Sequence, residues 1–139
     1  MRHRIAHHPA RGFTLIESLI ACAVAALLAG VALPSMQGQR LRAGRLDAVA
    51  ALTRVQAAQE QHRSQLGLYA TSLPALGLIN PHSPQGLYAV SVQVTGPDSY
   101  TATATARGRQ AQDSGCATLT LDVNKGFPSE GPNARCWQR

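Results

Sequence analysis

The sequence predicts an α+β chain in which a long N-terminal helix, apolar in its first half and amphipathic in its second, precedes a small antiparallel sheet. Three observations carry that prediction. Phe13 to Leu33 is a run of 21 residues with a single charge. Gln37 to about Leu66 is rich in Ala, Gln, Leu and Arg, with apolar residues at helical spacing. Beyond Leu87, three short runs alternate with the period of two that a half-buried strand requires.

The apolar run comes first. As a helix at roughly 1.5 Å per residue it is about 32 Å long, close to the roughly 30 Å hydrocarbon core of a bilayer. A secretory signal would carry a shorter core with a small residue behind it, whereas here the small residue, Gly12, stands in front. Cleavage at Gly12 would leave the apolar segment in the mature chain. Arg2, Arg4 and Arg11 on one side of the run are matched by Arg40, Arg42 and Arg45 on the other, so charge counting does not orient it. Within the run, Glu17 is anomalous, because a carboxylate at bilayer depth costs about 2.5 to 3.5 kcal/mol even on the lenient insertion scale. It needs a partner, a proton or a function.

Gly30 and Pro34 weaken helical hydrogen bonding at the end of the run, so a bend or a local weakening is expected there before the helix resumes. In the second half, Leu41, Ala48, Leu52, Val55 and Leu66 form the expected buried stripe, with Leu46 and Val49 beside it. Those two are either scattered surface apolars or a subunit contact. Gly67 is the expected helix stop, followed by a loop punctuated by Pro74, Gly77, Pro81, Pro84 and Gly86.

The sheet follows. Leu87 to Val94 puts Tyr88, Val90, Val92 and Val94 on one face, and Gly96, Pro97 and Asp98 make a turn. Tyr100 to Ala106 sets Tyr and Ala against Thr, and Thr118 to Val123 aligns Leu119, Leu121 and Val123. Three antiparallel strands could therefore cover the apolar side of the helix. Arg107 to Gly115 reads as a polar connection, and Asn124 to Arg139 as an irregular tail.

Composition bounds the function. The 139 residues, 45% hydrophobic and 4% aromatic, suffice for one modest domain beside a membrane segment. The formal charge is +6, from 13 Lys or Arg and 7 Asp or Glu; loss of Arg2, Arg4 and Arg11 would lower it to 10 minus 7, or +3. That excess alone does not argue for nucleic acid. Cys22 lies in the apolar run, where it reads as an inert small residue, while Cys116 and Cys136 have 19 residues between them. A bridge between them would stabilise by roughly 3 kcal/mol and imply an oxidising compartment; the alternative is two unpaired buried thiols. No C-x-x-C pair suggests zinc.

The segment R-G-F-T-L-I-E, Arg11 to Glu17, with its short basic leader, Gly12 before Phe13, Glu17 five residues into the mature chain and Pro34 beyond the apolar run, resembles the N-terminus of type IV pilins and secretion pseudopilins. GLYATSLPALGL from Gly67, Gly86 to Tyr88, GCATLTLD from Gly115 and the late Cys136 and Trp137 are similar to small minor pilins of Gram-negative type IV pili. The resemblance implies the type IV pilin fold, with a C-terminal loop bounded by Cys116 and Cys136. It implies a leader at 1–12, a transmembrane and filament-core helix half at 13–34, an amphipathic half at 35–66 and a globular head at 67–139.

By the same resemblance, a prepilin peptidase cuts between Gly12 and Phe13 and methylates the Phe13 amine, and Glu17 pairs with the amine of an adjacent subunit as an assembly check. The alternative is a Glu17 that stays protonated in lipid. Implied partners are other pilin subunits, the prepilin peptidase, the inner-membrane pilus assembly machinery and a tip adhesin. The chain would cross the inner membrane once, with its head in the periplasm, and reach the pilus surface after assembly. The expected function is a minor pilin that joins or primes pili supporting motility and adhesion.

Two alternatives stand beside it, a DNA-binding minor pilin for natural transformation and a type II secretion pseudopilin. For the first, Arg107, Arg109, Lys125, Arg135 and Arg139 would have to form one basic surface, yet five basic and four acidic residues after Gly67 also fit an ordinary solvated face. Against the second stands the cysteine pair, since major secretion pseudopilins usually lack it and bind calcium in that loop. No catalytic residues, cofactor or metal site are expected: His3, His7 and His8 fall in the leader, His62 and His82 are isolated, and no nucleophile elbow or paired acidic motif is present.

Overall fold

The computed structural model describes residues 13–137, leaving aside the side chains at 32–35. A helix, α1, spans Leu15–Leu66, and the chain divides into two units, Met1–Gln37 and Gly38–Arg139.

In the first unit, every side chain described between Phe13 and Val31 is exposed. Leu15, Leu27 and Val31 are among the most open, at 80%, 74% and 79%. The segment is apolar on all sides, so no single face could bury it against one partner. It is long and apolar enough to cross a membrane. The helix runs on past Pro34, which has no N–H to donate to it.

The second unit holds the core. Four strands, β1 (Tyr88–Gly96), β2 (Ser99–Ala106), β3 (Thr118–Asn124) and β4 (Phe127–Gly131), form one antiparallel sheet in sequence order. Register aligns Val90, Ala104 and Leu119 across three strands, and Val92, Ala102 and Leu121 beside them. Tyr88, Tyr100, Ala102, Ala104, Leu119, Leu121 and Val123 join Ala48, Ala51, Leu52 and Val55 of α1 in one buried cluster. Small residues occur on both partners, which lets helix and sheet approach closely, while the Thr residues of β2 stand on the opposite face.

Several expectations change here. Leu66 is 64% exposed, whereas Val49 is buried at 7%, so the buried arc of the helix is wider and lies differently from the expected stripe. Leu46 stays exposed. The irregular tail contributes β4, which pairs Phe127 with Asn124 and Glu130 with Leu121. The connection after β2 is a 3-10 turn at Gly108–Gln112 that sends Gln110 inward, with Asp113 just beyond it also buried.

Polar groups attach these loops to the helix. Asp47 is buried but accepts hydrogen bonds from Ser83 Oγ and from the Gln85 and Leu87 amides at 2.8 and 3.2 Å. Gln59 exchanges two 2.8 Å bonds with the Ala70 backbone. Gln110 donates to the Leu41 carbonyl at 2.9 Å and to the Tyr88 hydroxyl at 3.0 Å. Its amide occupies the space a Cβ on Gly44 would need, which explains a glycine inside the helix. Gly67 ends α1 as expected, with φ +75° and its N–H donating to the Arg63 carbonyl at 2.8 Å. Cys116 and Cys136 form a disulfide that ties the end of the chain to the start of β3.

Candidate functional site

The N-terminal site is built by the first turn of α1. Phe13 precedes the helix and is exposed, and Gly12 lies outside the described residues. Thr14 Oγ1 accepts the Glu17 N–H at 3.3 Å, the geometry of an N-cap whose third helical residue is acidic. Thr14 was not among the residues singled out from the sequence, although T-L-I-E ahead of an apolar run is the signature that identifies such a cap. A carboxylate in the first turn also suits the positive end of the helix dipole. Among the described residues the ion pairs are Arg45 with Asp113 and Arg63 with Asp98, so Glu17 belongs to neither.

The basic residues of the head do not form the single surface envisaged from the sequence. Lys125 lies in the β3–β4 turn, its N–H donating to the Asp98 carbonyl at 2.8 Å, beside the β1–β2 turn. Arg107 follows the opposite end of β2, about 23 Å away at roughly 3.3 Å per strand residue. Arg139 lies outside the described residues, as do His3, His7 and His8.

Three local groups result. In the first, Arg63 donates to Asp98 at 2.7 Å and to the Tyr69 hydroxyl at 2.8 Å, with its guanidinium 4.9 Å from the Tyr69 ring centre. These partners hold its pKa above the ordinary value, the Tyr69 hydrogen bond most strongly. In the second, Arg107 stands against the His82 ring, with Nη1 3.2 Å from both ring nitrogens. Arg54 and His82 line the same small hollow under the loop after α1, and Arg109 is exposed in the adjacent 3-10 turn.

The third group surrounds a cleft of about 460 Å³ between α1 and the disulfide, lined by Arg42, Arg45, Gly115, Cys116, Asn133 and Arg135. Arg45 forks onto Asp113 at 2.7 and 2.9 Å and donates to the Arg135 carbonyl at 3.2 Å. The Asp113 hydrogen bond raises its pKa. Asp122 and Glu130 are elsewhere, Asp122 accepting from Thr101. His62 Nδ1 lies 2.9 Å from the Leu68 carbonyl.

Residues 34–120, well over half the chain, match the family model described as "Type IV minor pilin ComP, DNA uptake sequence receptor". The chain belongs to that family. Residues 8–33 match a second model, the prokaryotic N-terminal methylation motif. No curated protein matches the chain. Long helix, antiparallel sheet and disulfide together are the type IV pilin α+β fold, and with the methylation motif the apolar helix half is consistent with a membrane-anchored pilin. Pilin families are structural rather than enzymatic. The minor-pilin match takes in α1 from Pro34, the loop after it, β1, β2 and the Arg107 connection; β4, Arg135 and Cys136 lie beyond it.

Proposed function

We propose that this chain is a minor type IV pilin that receives DNA at the filament surface. The observation that carries the reading is the minor-pilin match across residues 34–120, whose description names a DNA uptake receptor. Duplex DNA is held chiefly through phosphate contacts with Lys and Arg. Arg107, which stands against His82, and Arg54, which shares a hollow with His82, supply such contacts beside the loop after α1, with Arg109 exposed in the 3-10 turn that follows Arg107. All three lie within the matched segment, and Asp113 beyond that turn is paired with Arg45. Motility and adhesion, placed first from the sequence, have no comparable support, and neither does a secretion pseudopilus.

Entry into the filament precedes reception. A prepilin peptidase removes residues 1–12 and methylates Phe13, leaving 13–34 in the inner membrane, 35–66 as the amphipathic half and 67–139 as the periplasmic head. The Phe13 amine, cationic near neutral pH, is the counter-ion for Glu17 of a neighbouring subunit. Other pilins and the inner-membrane assembly machinery are then the partners.

A strain deleted for the gene and restored with tagged wild type or R107Q/R109Q tests the reading. Uptake of labelled duplex should fail in the deletion strain and in R107Q/R109Q, with the tagged variant still present in sheared fibres. Normal uptake in the deletion strain would overturn it.

A further inference from the structure

The cleft beside the disulfide presents a second basic surface, with a different source of anions close by. Of its three guanidinium groups, Arg45 is neutralised by Asp113 and serves the wall, fixing the Arg135 carbonyl. Arg42 and Arg135 are exposed and belong to neither ion pair found among the described residues. Among the described residues the cleft therefore carries two positive charges outside any ion pair, in a volume of about 460 Å³, within the roughly 300 to 1,000 Å³ of small-ligand sites. Guanidinium forks match the oxygens of a phosphate group.

Chain length selects the phosphate. Arg42 stands eight residues after Pro34, at the end of the apolar half of a helix that is long and apolar enough to cross a membrane. Eight residues reach at most about 29 Å whatever path they take. A cleft tethered so closely meets lipid phosphates at high effective concentration, and basic pockets next to membrane helices are suited to anionic headgroups. DNA has no such tether.

We propose that the cleft formed by Arg42, Arg135 and the Cys116–Cys136 segment binds the phosphate of an anionic phospholipid headgroup. The inference rests on the membrane-anchored reading and is independent of DNA reception. Bound lipid holds the head against the membrane until the subunit is withdrawn into a filament, so the contact is one that assembly has to break. The disulfide contributes by holding Asn133 and Arg135 at the wall.

The test uses the full chain in detergent micelles doped with phosphatidylglycerol, with lipid retention read by native mass spectrometry. One retained phosphatidylglycerol is expected for wild type and for R107Q/R109Q, with at least tenfold weaker retention by R42Q/R135Q. Those two side chains are exposed and leave the Arg45 pair intact, and an unchanged melting temperature verifies folding. Equal retention by wild type and R42Q/R135Q overturns the proposal. Displacement of the lipid by millimolar inorganic phosphate or by a short duplex at equal charge concentration also overturns it, reassigning the cleft to free phosphate or to DNA. Flotation with zwitterionic phosphatidylcholine liposomes reports the anchor separately, so a chain that floats but retains no phosphatidylglycerol contradicts the cleft alone.

Discussion

From Leu15 to Val31 every side chain of α1 is exposed, whereas from Gly44 to Gln59 the same helix buries Gly44, Asp47, Ala48, Val49, Ala51, Leu52, Val55 and Gln59. Helix propensity does not separate them, since both are rich in Ala and Leu. The difference is what each half is solvated by. The second half has a sheet and loops of its own chain to cover it, and its buried polar groups are satisfied by that chain. The first half has apolar groups all round and no such cover within its own unit, the composition of a helix whose surroundings are lipid or other helices. Glu17 is the one charged residue in that first stretch.

That contrast can be broken at either end. The largest effect expected is at Glu17. Glu17→Ala should still insert and be processed, yet incorporation into sheared fibres, measured by immunoblot, should fall by at least roughly tenfold, because an unpaired buried amine is left behind. Normal incorporation would remove the pairing idea. Next, Leu52→Ala opens a cavity under the sheet and should destabilise the head by about 2 to 5 kcal/mol in denaturant unfolding, whereas Leu27→Ala should leave that transition where it is. Equal effects of the two would erase the distinction.

Cys116→Ser should lower head stability by about 3 kcal/mol through the roughly 20-residue loop it opens, read from the same transition. The smallest effect is alkaline. Burial is the main cause raising the pKa of Tyr69, Tyr88 and Tyr100, all three tyrosines of the chain, above the unfolded value near 10. The unfolded state loses those protons first, so stability is fully present below about pH 10 and falls as pH rises beyond it. Tyrosinate absorbance should appear together with loss of structure; ionisation near pH 10 in an intact head would contradict the burial argument.

Much of this architecture was legible because it rests on short-range rules. Alternation in Tyr88 to Val94, Tyr100 to Ala106 and Thr118 to Val123 placed the core face of each strand, and Gly67 marked the helix end. What escaped was decided by tertiary hydrogen bonding. Asp47 and Gln110 are buried because loop amides and helix carbonyls meet them, which no local pattern announces. Val49 is buried because more than one side of α1 is covered. F-P-S-E-G neither alternates nor favours a strand, and β4 exists by pairing with β3. The site divides in the same way: Phe13, Glu17 and the cysteine pair lay in recognisable spacing, whereas the separation of Lys125 from Arg107 depended on strand order.

The most direct measurement is duplex binding by the full chain in zwitterionic micelles as salt is raised, for wild type and R107Q/R109Q. Binding should weaken steeply with salt, with a log–log slope smaller by about two in R107Q/R109Q. No retention of duplex even at low salt would contradict DNA reception by this pilin.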